Sequence, residues 1–268
     1  MPCIDFHAHA FPDSLARTTI PALGKKGNVR AAGDGTVNNL LNSMDESGID
    51  TSVLCSIATR PAQFRPILDW CNAIRSERII PFPSFHPESP RALEEIAEIH
   101  RQGFAGVKLH PFYQDFFLEE ERLRPFFAKL SDLGLIVVMH TGYDIGFPRE
   151  RRADPAKIAA LINRFPDLRF IATHLGAWQQ WQEVHEELAG KDVYFDIAFS
   201  LEFLPREMAR TIILSHSPDR VLFGSDSPWA SQQETINLLK SLELDSEHEQ
   251  KILGANGERL LGTGSRKR

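Results

Sequence analysis

Two histidines near the start of the sequence, His7 and His9, are spaced so that they could share one metal ion. They close a short apolar run that begins at Ile4 and is predicted to be a β-strand. Alternate residues of a strand point to the same side, so the two imidazoles would face one point. Imidazole nitrogen is a common ligand of zinc and related ions. The motif therefore predicts a metal site, although two polar residues can also simply end a strand.

The same arrangement recurs along the chain, because further apolar runs end on side chains that could bind a metal. The residues at these ends are Lys108, His110, His140, His174 and Asp226. Six of the ten histidines, counting His86 with those above, lie at or just after predicted strand ends. Barrel enzymes build their active sites where the carboxyl ends of parallel strands meet. The recurrence therefore predicts one site assembled from many strands.

Strand-like runs alternate with helix-like runs from end to end, which predicts an α/β fold made of a single (β/α)8 TIM barrel. The predicted strands are residues 3–7, 52–57, 79–85, 104–109, 135–140, 168–173, 192–197 and 220–225. Their interiors are apolar without clean alternation, as expected for strands that are buried on both faces. Residues 1–262 are predicted to form one catalytic domain, and residues 263–268 a disordered tail.

Some segments between the predicted strands are expected to lack regular secondary structure. Residues 11–35, which carry several glycines and lysines, are predicted to form a mobile loop that covers the strand ends as a lid. Residues 143–152 are predicted to be irregular as well. The last helix, residues 246–261, is predicted to pack outside the barrel.

Two helical patterns predict which side chains are buried. In the helix predicted from Pro90 to His100, one face holds apolar residues and the opposite face holds glutamates. The predicted buried face is Leu93, Ile96, Ala97 and His100. Trp178 and Trp181, three residues apart, are predicted to be packing residues of another helix.

Composition limits the class of protein. The 268-residue chain has a net charge of −6 and a pI near 5.9, which argues against a broad nucleic-acid-binding surface. No apolar run approaches the roughly 20 residues that span a bilayer, and no signal peptide precedes the first strand. The number of cysteines, three, is odd, so they cannot all pair in disulfides within the chain. They are interpreted as reduced thiols of a cytoplasmic protein. A homo-oligomer is compatible with these features.

Taken in order, four motifs resemble those of the amidohydrolase superfamily, metal-dependent hydrolases built on a distorted (β/α)8 barrel. They are Asp-Phe-His-Ala-His at 5–9, Gly-Val-Lys-Leu-His-Pro at 106–111, Thr-His-Leu-Gly at 173–176 and Phe-Gly-Ser-Asp-Ser-Pro-Trp at 223–229. The resemblance covers essentially the whole chain and is strongest to the amidohydrolase-related branch, which includes aminocarboxymuconate semialdehyde decarboxylase. It implies one or two divalent metal ions, with zinc expected.

The resemblance also implies roles for individual residues. His7, His9 and His140 would bind the metal through nitrogen. Asp226 would bind it through one carboxylate oxygen and take a proton from water through the other. Zinc lowers the pKa of a bound water to about 7, so hydroxide is available at neutral pH.

Lys108 has two interpretations, and the role of His174 depends on the choice between them. A carboxylated lysine on the fourth strand bridges two metals in binuclear members of the superfamily. Alternatively, Lys108 stays an ammonium and binds a substrate carboxylate. His174 is a ligand of the second metal in the first case and a general acid or base in the second.

Five further residues are predicted to contact the substrate. Arg60, after the second strand, could bind a carboxylate through two hydrogen bonds, or it could be a solvated loop charge. His86 could point at the substrate or cap the next helix. His110 follows Lys108 by two residues and therefore shares its face. Tyr113 and Trp229 could form the walls of an aromatic or apolar pocket.

Three functions remain compatible with these residues. The first is hydrolysis of a small amide, lactone or ester by metal-activated water. The second is non-oxidative decarboxylation of an aromatic or unsaturated carboxylic acid. The third is a metal-binding barrel without catalysis, which would need neither the complete ligand set nor a lid. In each enzymatic case the partner is a small molecule, which can bear a carboxylate, and neither a nucleic acid nor a membrane.

Overall fold

The computed structural model describes residues 2–262, in which strands and helices alternate throughout. The strands in this range are β1 (Ile4–Ala8), β2 (Thr51–Cys55), β3 (Ile79–Phe82), β4 (Gly106–Leu109), β5 (Ile136–Met139), β6 (Phe170–Ala172), β7 (Tyr194–Asp196) and β8 (Val221–Leu222). Each overlaps one of the eight predicted strands. The predicted tail, residues 263–268, lies outside the described residues.

The α-helices of the described range connect and follow these strands. They are α1 (Asp13–Gly27), α2 (Val37–Ser47), α3 (Phe64–Ile74), α4 (Ala92–Arg101), α5 (Arg124–Asp132), α6 (Pro155–Arg164), α7 (Trp181–Glu187), α8 (Arg206–Ser215), α9 (Gln232–Ser241), α10 (Ser246–Gln250) and α11 (Asn256–Leu261). Short 3₁₀ helices cover Pro61–Gln63 and Glu121–Leu123, and a π-helical turn covers Lys251–Ala255. No helix among residues 2–262 is long and apolar enough to cross a membrane.

All strand pairs are parallel, and two hydrogen-bonded seams join the strands into a ring. Strands β1 to β3 form one sheet and β4 to β8 another. At the first seam, the Lys108 amide donates to the Pro83 carbonyl over 3.0 Å. At the second, the Phe6 amide donates to the Phe223 carbonyl over 2.8 Å. The fold is therefore a TIM barrel, as predicted.

Alternation along the strands separates the barrel interior from the outer core. An interior cluster consists of Ile4, Phe6, Val53, Cys55, Phe82, Ile136, Val138, Ile171, Leu222 and Leu260. Within β5, Ile136 and Val138 are two residues apart, and His140 follows at the same spacing. Apolar side chains thus fill the lower barrel, while the next inward position at the carboxyl end of the strand carries a metal-competent side chain.

The C-terminal helical segment was predicted to pack outside the barrel, and that prediction is wrong. Leu260 of α11 belongs to the interior cluster. A Cβ atom on Gly257 would lie only 3.2 Å from the Phe6 ring, so α11 approaches β1 closely. The segment closes the end of the barrel opposite the histidines, where the strands alone would leave apolar side chains uncovered.

The predicted buried face of helix α4 is correct for Ile96 and wrong for Leu93 and His100. Leu93 is 44% exposed and His100 lies at the surface. The buried residues are Ala92, Glu95, Ile96 and Ile99. The Ser89 hydroxyl donates a 2.6 Å hydrogen bond to the Glu95 carboxylate. Such a partner reduces the cost of burying a carboxyl group, which a count of apolar residues does not anticipate.

The segment from residue 11 to residue 35 contains a 15-residue helix, α1, instead of the predicted loop. Asn28, in the left-handed region with φ of 51°, ends this helix. Lys25 and Lys26 lie in its last turn, where positive charge favours a helix carboxyl terminus. The segment does cover the strand ends, as expected of a lid. Residues 143–152 lack helix and strand, as predicted.

Candidate active site

A cavity of about 130 Å³ lies at the carboxyl ends of the strands. Its lining includes all six predicted metal ligands, namely His7, His9, Lys108, His140, His174 and Asp226. The ring centroids of His7 and His174 are 5.5 Å apart, and those of His174 and His140 are 4.7 Å apart. Strands β1, β4, β5, β6 and β8 thus bring residues from distant parts of the sequence around one small volume.

His7, His9 and Asp226 form the tightest group of the cavity. The two histidine Nε2 atoms are 3.2 Å apart, and Asp226 Oδ1 lies 3.0 Å from His9 Nε2 and 3.4 Å from His7 Nε2. On its other side, each imidazole faces an acceptor through Nδ1. His9 Nδ1 lies 2.7 Å from the Cys55 carbonyl and therefore carries the hydrogen.

These contacts leave electron pairs facing one another. With hydrogens on Nδ1, both Nε2 atoms present lone pairs toward each other and toward the Asp226 carboxylate. Such atoms repel unless a cation lies among them. Zinc ligands about 2.0–2.1 Å from the ion stand about 3.3–3.4 Å apart in a tetrahedron, close to the observed 3.0–3.4 Å. The donor set therefore fits a divalent metal.

His140 and His174 repeat this pattern across the cavity. His174 Nε2 lies 2.9 Å from His140 Nδ1. The outer nitrogens face backbone carbonyls, that of Ala198 for His174 at 2.9 Å and that of Tyr143 for His140 at 3.0 Å. In the neutral rings the hydrogens therefore lie on the outer nitrogens. His174 Nε2 and His140 Nδ1 therefore present lone pairs to each other. Like the first pair of imidazoles, these rings require a proton or a cation between them.

Burial keeps these imidazoles neutral, which is the form that binds a metal. Burial, reinforced by the neighbouring His110, lowers the pKa of His140 to about 3. Burial together with His140 lowers the pKa of His174 to about 3. Burial and the charge of Lys108 hold the pKa of His7 well below its usual value. At neutral pH these imidazoles are therefore neutral and have lone pairs that could bind a metal.

Lys108 projects from β4 into the middle of the ligand set. Its side chain is almost completely buried, at 1% exposure, and its Nζ lies 2.9 Å from His7 Nε2. Among the described residues that line the cavity, it is the only lysine or arginine. Lys108 therefore supplies positive charge where the lone pairs of His7 and His9 converge.

Asp196, at the end of β7, supports this cluster and was missed by the sequence analysis. Its Oδ2 lies 2.9 Å from His7 Nδ1, which fixes the tautomer of that ligand. Its Oδ1 accepts the amide hydrogens of His174, at 2.9 Å, and Ala198, at 3.2 Å. Burial raises the pKa of Asp196 to about 7, and these hydrogen bonds oppose the rise. The residue ends a predicted strand, so the rule that identified the other ligands also applied to it.

Departures from regular strand geometry aim the ligands. The register of β1 against β2 shifts between Asp5 and Ala8, and bulges of this kind redirect side chains. His174 and Asp226 have φ values of 60° and 66°, in the left-handed region that non-glycine residues rarely adopt. The Asp226 amide donates to the His7 carbonyl over 2.7 Å and holds that conformation.

His110, on the cavity wall as predicted, pairs with Asp144, which the sequence analysis also missed. Their Nε2 and Oδ2 atoms are 3.3 Å apart. Both lie near His140, so the three side chains resemble a second metal cluster. However, the rings of His110 and His140 are stacked 4.1 Å apart at 11°, so no point lies in both ring planes, where the lone pairs are. The group therefore positions His140 and does not form a second metal centre.

Two predicted substrate-binding residues do not line the cavity. Arg60 is exposed at the start of the first 3₁₀ helix, because the chain turns away from the barrel axis after β2. His86 is buried, but its Nδ1 accepts the Glu88 amide hydrogen over 3.1 Å. The alternative interpretation, a local cap, describes His86 better. Tyr113 and Trp229 do line the cavity, as predicted.

Apolar side chains form the remaining walls, and most of these were not anticipated. They are Phe11, Leu23, Val29, Ile57, Ile145, Trp178 and Phe199. Trp178, predicted to be a packing residue of a helix, lies before α7 and has its ring 6.3 Å from that of His174. Trp181 does support the site from outside, because its Nε1 donates to the His174 carbonyl over 2.9 Å.

Comparisons with known proteins agree with this fold. The model of a family described as amidohydrolase matches residues 4–263. An uncharacterised TIM-barrel protein of Bordetella bronchiseptica superposes with a TM-score of 0.78 at 22% identity, covering 99% of this chain and 100% of that one. The 5-carboxyvanillate decarboxylase of Sphingomonas paucimobilis gives 0.73 at 13% identity, with 97% and 99% coverage.

A hydrolase is also among the similar structures. A Pseudomonas putida protein assigned as a 2-pyrone-4,6-dicarboxylic acid hydrolase gives a TM-score of 0.66 at 18% identity, covering 97% of each chain. At such identities these similarities establish the fold and leave the reaction open. No curated protein matches the chain significantly.

Proposed function

The chain belongs to the amidohydrolase family, and on that premise we propose that it is a metal-dependent hydrolase of a small amide, lactone or ester. His7, His9 and Asp226 would hold a first divalent ion, with zinc as the expected metal. His140, His174 and a carboxylated Lys108 would hold a second. When bound, such ions supply Lewis-acid polarisation of a carbonyl and lower the pKa of water toward 7.

The observation that carries this proposal is the pair of inward-facing nitrogen sets on either side of Lys108. His7 and His9 face each other at 3.2 Å, and His140 and His174 face each other at 2.9 Å. Neither set has an imidazole hydrogen between its facing nitrogens. At the first set Lys108 Nζ lies 2.9 Å from His7 Nε2, and carboxylation of Lys108 would remove that ammonium and leave the set to a metal ion. Two cation positions joined by a lysine favour the binuclear arrangement and therefore hydrolysis.

Asp226 supplies the base for the attack of water on the substrate carbonyl. It approaches both imidazoles of the first set through Oδ1, which leaves Oδ2 to accept the proton. Although burial opposes it, contact with His9 and the positive charge of Lys108 lower the pKa of Asp226, so the carboxylate is ionised at neutral pH. As the new C–O bond forms and the C–N or C–O bond breaks, Asp226 returns this proton to the leaving nitrogen or oxygen.

The cavity walls support a second candidate, the non-oxidative decarboxylation of an aromatic acid. Phe11, Tyr113, Trp178, Phe199 and Trp229 surround the ligand set with aromatic surface that suits a planar ring. In that reaction Lys108 stays an ammonium and binds the substrate carboxylate, while His174 delivers the proton that replaces carbon dioxide. A carboxylate-bearing substrate is compatible with both candidates.

Metal counting and product analysis separate the two reactions. The protein is loaded with zinc, dialysed, and its metal content measured. It is then incubated with a panel of lactones, esters, amides and aromatic carboxylic acids. Hydrolysis predicts two equivalents of metal and a new acid group without gas release. One equivalent of metal together with released carbon dioxide would replace hydrolysis by decarboxylation.

The His7→Ala/His9→Ala double variant is the matched control. It should lose tight metal binding while its circular dichroism stays that of the folded barrel, because the barrel is stabilised by its core and lower face. Full metal content in this variant would remove the cluster from the proposal and favour a barrel without catalysis.

The remaining properties follow from the same proposal. Residues 1–262 act as one catalytic domain on a free small molecule, and neither a nucleic acid nor a membrane takes part. The free thiols of Cys3, Cys55 and Cys71 support a cytoplasmic location.

A further inference from the structure

A second cavity, of about 380 Å³, lies beside the catalytic cavity between helices α1 and α3. The two cavities share His9, Phe11, Leu23, Ile57 and Tyr113 in their linings. One of these shared residues, His9, belongs to the metal-ligand cluster. The larger cavity, which we call the side groove, therefore adjoins the catalytic cavity at the metal-ligand cluster.

The side groove is apolar and uncharged. Leu15 and Thr19 of α1 line one side, and Ile67 and Trp70 of α3 line the other. Leu15 remains 49% exposed, although it faces this groove. None of the described residues that line the groove is a lysine, arginine, aspartate or glutamate. The groove thus offers apolar surface without a site for an ionic group.

Two polar residues of the groove, Thr59 and Gln63, are already paired with each other. Gln63 Oε1 accepts hydrogen bonds from the Thr59 amide, at 2.7 Å, and from the Thr59 hydroxyl, at 3.0 Å. A ligand therefore gains little from placing a hydrogen-bonding group there, and an incoming apolar group leaves these bonds intact. The chemistry of the walls selects a hydrocarbon chain or ring.

We propose that the side groove binds an apolar, uncharged arm of the substrate while the bond to be cleaved lies at the metal cluster. This inference rests on the proposed function and adds the substrate class, a lactone, ester or amide that carries an alkyl or aryl arm. The shared lining at His9, which places the groove directly beside the catalytic cavity, favours a substrate arm over a separate ligand. The groove also explains why α1 presents Leu15 and Thr19 toward α3.

Two series of probes test this inference. The first consists of neutral n-alkylbenzenes from toluene to butylbenzene, whose binding to the protein is measured by NMR titration. The second consists of 4-nitrophenyl acetate, butyrate and hexanoate, whose hydrolysis by the zinc-loaded enzyme is followed. Burial of one methylene is worth about 0.8 kcal/mol, so affinity and kcat/KM should each rise about fourfold per methylene.

Matched variants on α1 locate the effect. Thr19→Trp fills the side groove, so alkylbenzene affinity and ester kcat/KM should no longer increase with chain length. Thr18→Trp, its exposed neighbour outside the groove, should retain that dependence. If Thr19→Trp fails to fold, Leu15→Arg places a charge at an already exposed position and should weaken binding of the longer probes alone. Leu93→Arg, at an exposed position of α4, is its control.

The outcomes separate this inference from the proposed function. Alkylbenzene affinity that does not change with chain length in the wild type, or an increment that survives Thr19→Trp, overturns the side groove as an apolar site. Alkylbenzene increments that Thr19→Trp removes, together with no hydrolysis of any ester, support the groove and count against the hydrolase. Hydrolysis of all esters at equal kcat/KM supports the hydrolase and rejects the groove as a substrate site.

Discussion

At the scale of single residues, the two oxygens of Asp226 have different roles in the proposed reaction. Oδ1 approaches the nitrogens of His7 and His9, and Oδ2 is the oxygen proposed to take a proton. Asp226→Asn keeps the size of the side chain and one oxygen donor but cannot accept that proton. A general base typically contributes about 10²–10⁴-fold, so kcat should fall by at least about 10²-fold at saturating metal.

The measurement is steady-state turnover of a confirmed substrate across a range of zinc concentrations. Saturating zinc separates lost chemistry from lost metal occupancy. Asp219→Asn, an exposed aspartate that pairs with Lys251, is the matched control and should behave as the wild type. Near wild-type turnover by Asp226→Asn would leave His174 as the group that transfers the proton and would favour decarboxylation.

Asp196 determines which nitrogen of His7 faces the cluster. In Asp196→Asn, the amide oxygen can still accept the backbone hydrogens of His174 and Ala198, which places the NH2 group opposite His7 Nδ1. His7 would then change tautomer and carry its hydrogen on Nε2, where a metal requires a lone pair. Metal affinity should fall about 10–100-fold.

Competition with a chromophoric chelator measures this affinity. Asp192→Asn, an exposed aspartate just before the same strand that pairs with Arg220, is the control. Unchanged zinc affinity in Asp196→Asn would mean that the tautomer of His7 is fixed by something other than Asp196.

A residue of the site could be predicted from the sequence where strand geometry determines the direction of its side chain. His140 and Asp226 line the cavity because inward positions at the carboxyl ends of strands converge in any barrel of this kind. His7 follows the inward-facing Phe6 directly and reaches the cavity because the register of β1 shifts between Asp5 and Ala8. Asp144 could not be found in this way, since it lies in an irregular segment without a periodic pattern of apolar and polar residues. Arg60 does not line the cavity, which agrees with its alternative interpretation as a solvated loop charge, because the path of a loop decides where its side chains point.

At the scale of elements, helix α1 and the irregular segment 143–152 meet over the catalytic cavity. Lys26 Nζ lies 3.3 Å from the centroid of the Phe147 ring and 5.0 Å from that of Tyr113. A Cβ atom on Gly27 would lie 3.1 Å from Ile145, so the end of α1 touches the segment. The lid predicted from the sequence is therefore a helix attached to a loop, and its mobility stays a prediction.

Removing the cation should loosen this contact. An exposed cation–π pair is worth about 0.5–1 kcal/mol, so Lys26→Ala should raise amide hydrogen exchange in residues 13–27 about two- to fivefold. Lys25→Ala, its neighbour in the last turn of the helix, tests for a general effect of lost charge. Equal exchange rates in both variants would show that the aromatic contact does not hold α1 in place.

The elements themselves were predicted unevenly. All eight strands were found, because apolar runs of this length have few alternatives in an alternating pattern. Helix α1 was missed because glycines and lysines in its last turn resemble a loop, although they also end helices. The buried face of α4 was misjudged because Glu95 is buried with a hydrogen-bond partner that lies outside the helix.

At the scale of the whole molecule, stability and chemistry occupy opposite ends of the barrel. Leu260, 4% exposed, closes the lower end, while the ligand cluster lies at the upper end. Leu260→Ala should lower the free energy of unfolding by about 2–5 kcal/mol, since it leaves a cavity among interior side chains. Zinc affinity should not change.

Urea denaturation followed by circular dichroism checks the stability, and chelator competition checks the metal affinity. Leu214→Ala, at a position of α8 that is 45% exposed, should stay within about 0.5 kcal/mol of the wild type. A loss of zinc affinity in Leu260→Ala that matches its loss of stability would show that the two ends are coupled.

The pairing of β1 with β8 also determines when the cluster can form during synthesis of the chain. Asp5 accepts hydrogen bonds from the amide and hydroxyl of Ser225, a partner 220 positions later in the sequence. During synthesis, His7 and His9 therefore exist long before the strand that brings Asp226 to them. An incomplete chain holds two imidazoles without their carboxylate, so it cannot present the assembled cluster to a cation. The complete donor set of His7, His9 and Asp226 therefore forms only after β8 has been synthesised and has paired with β1.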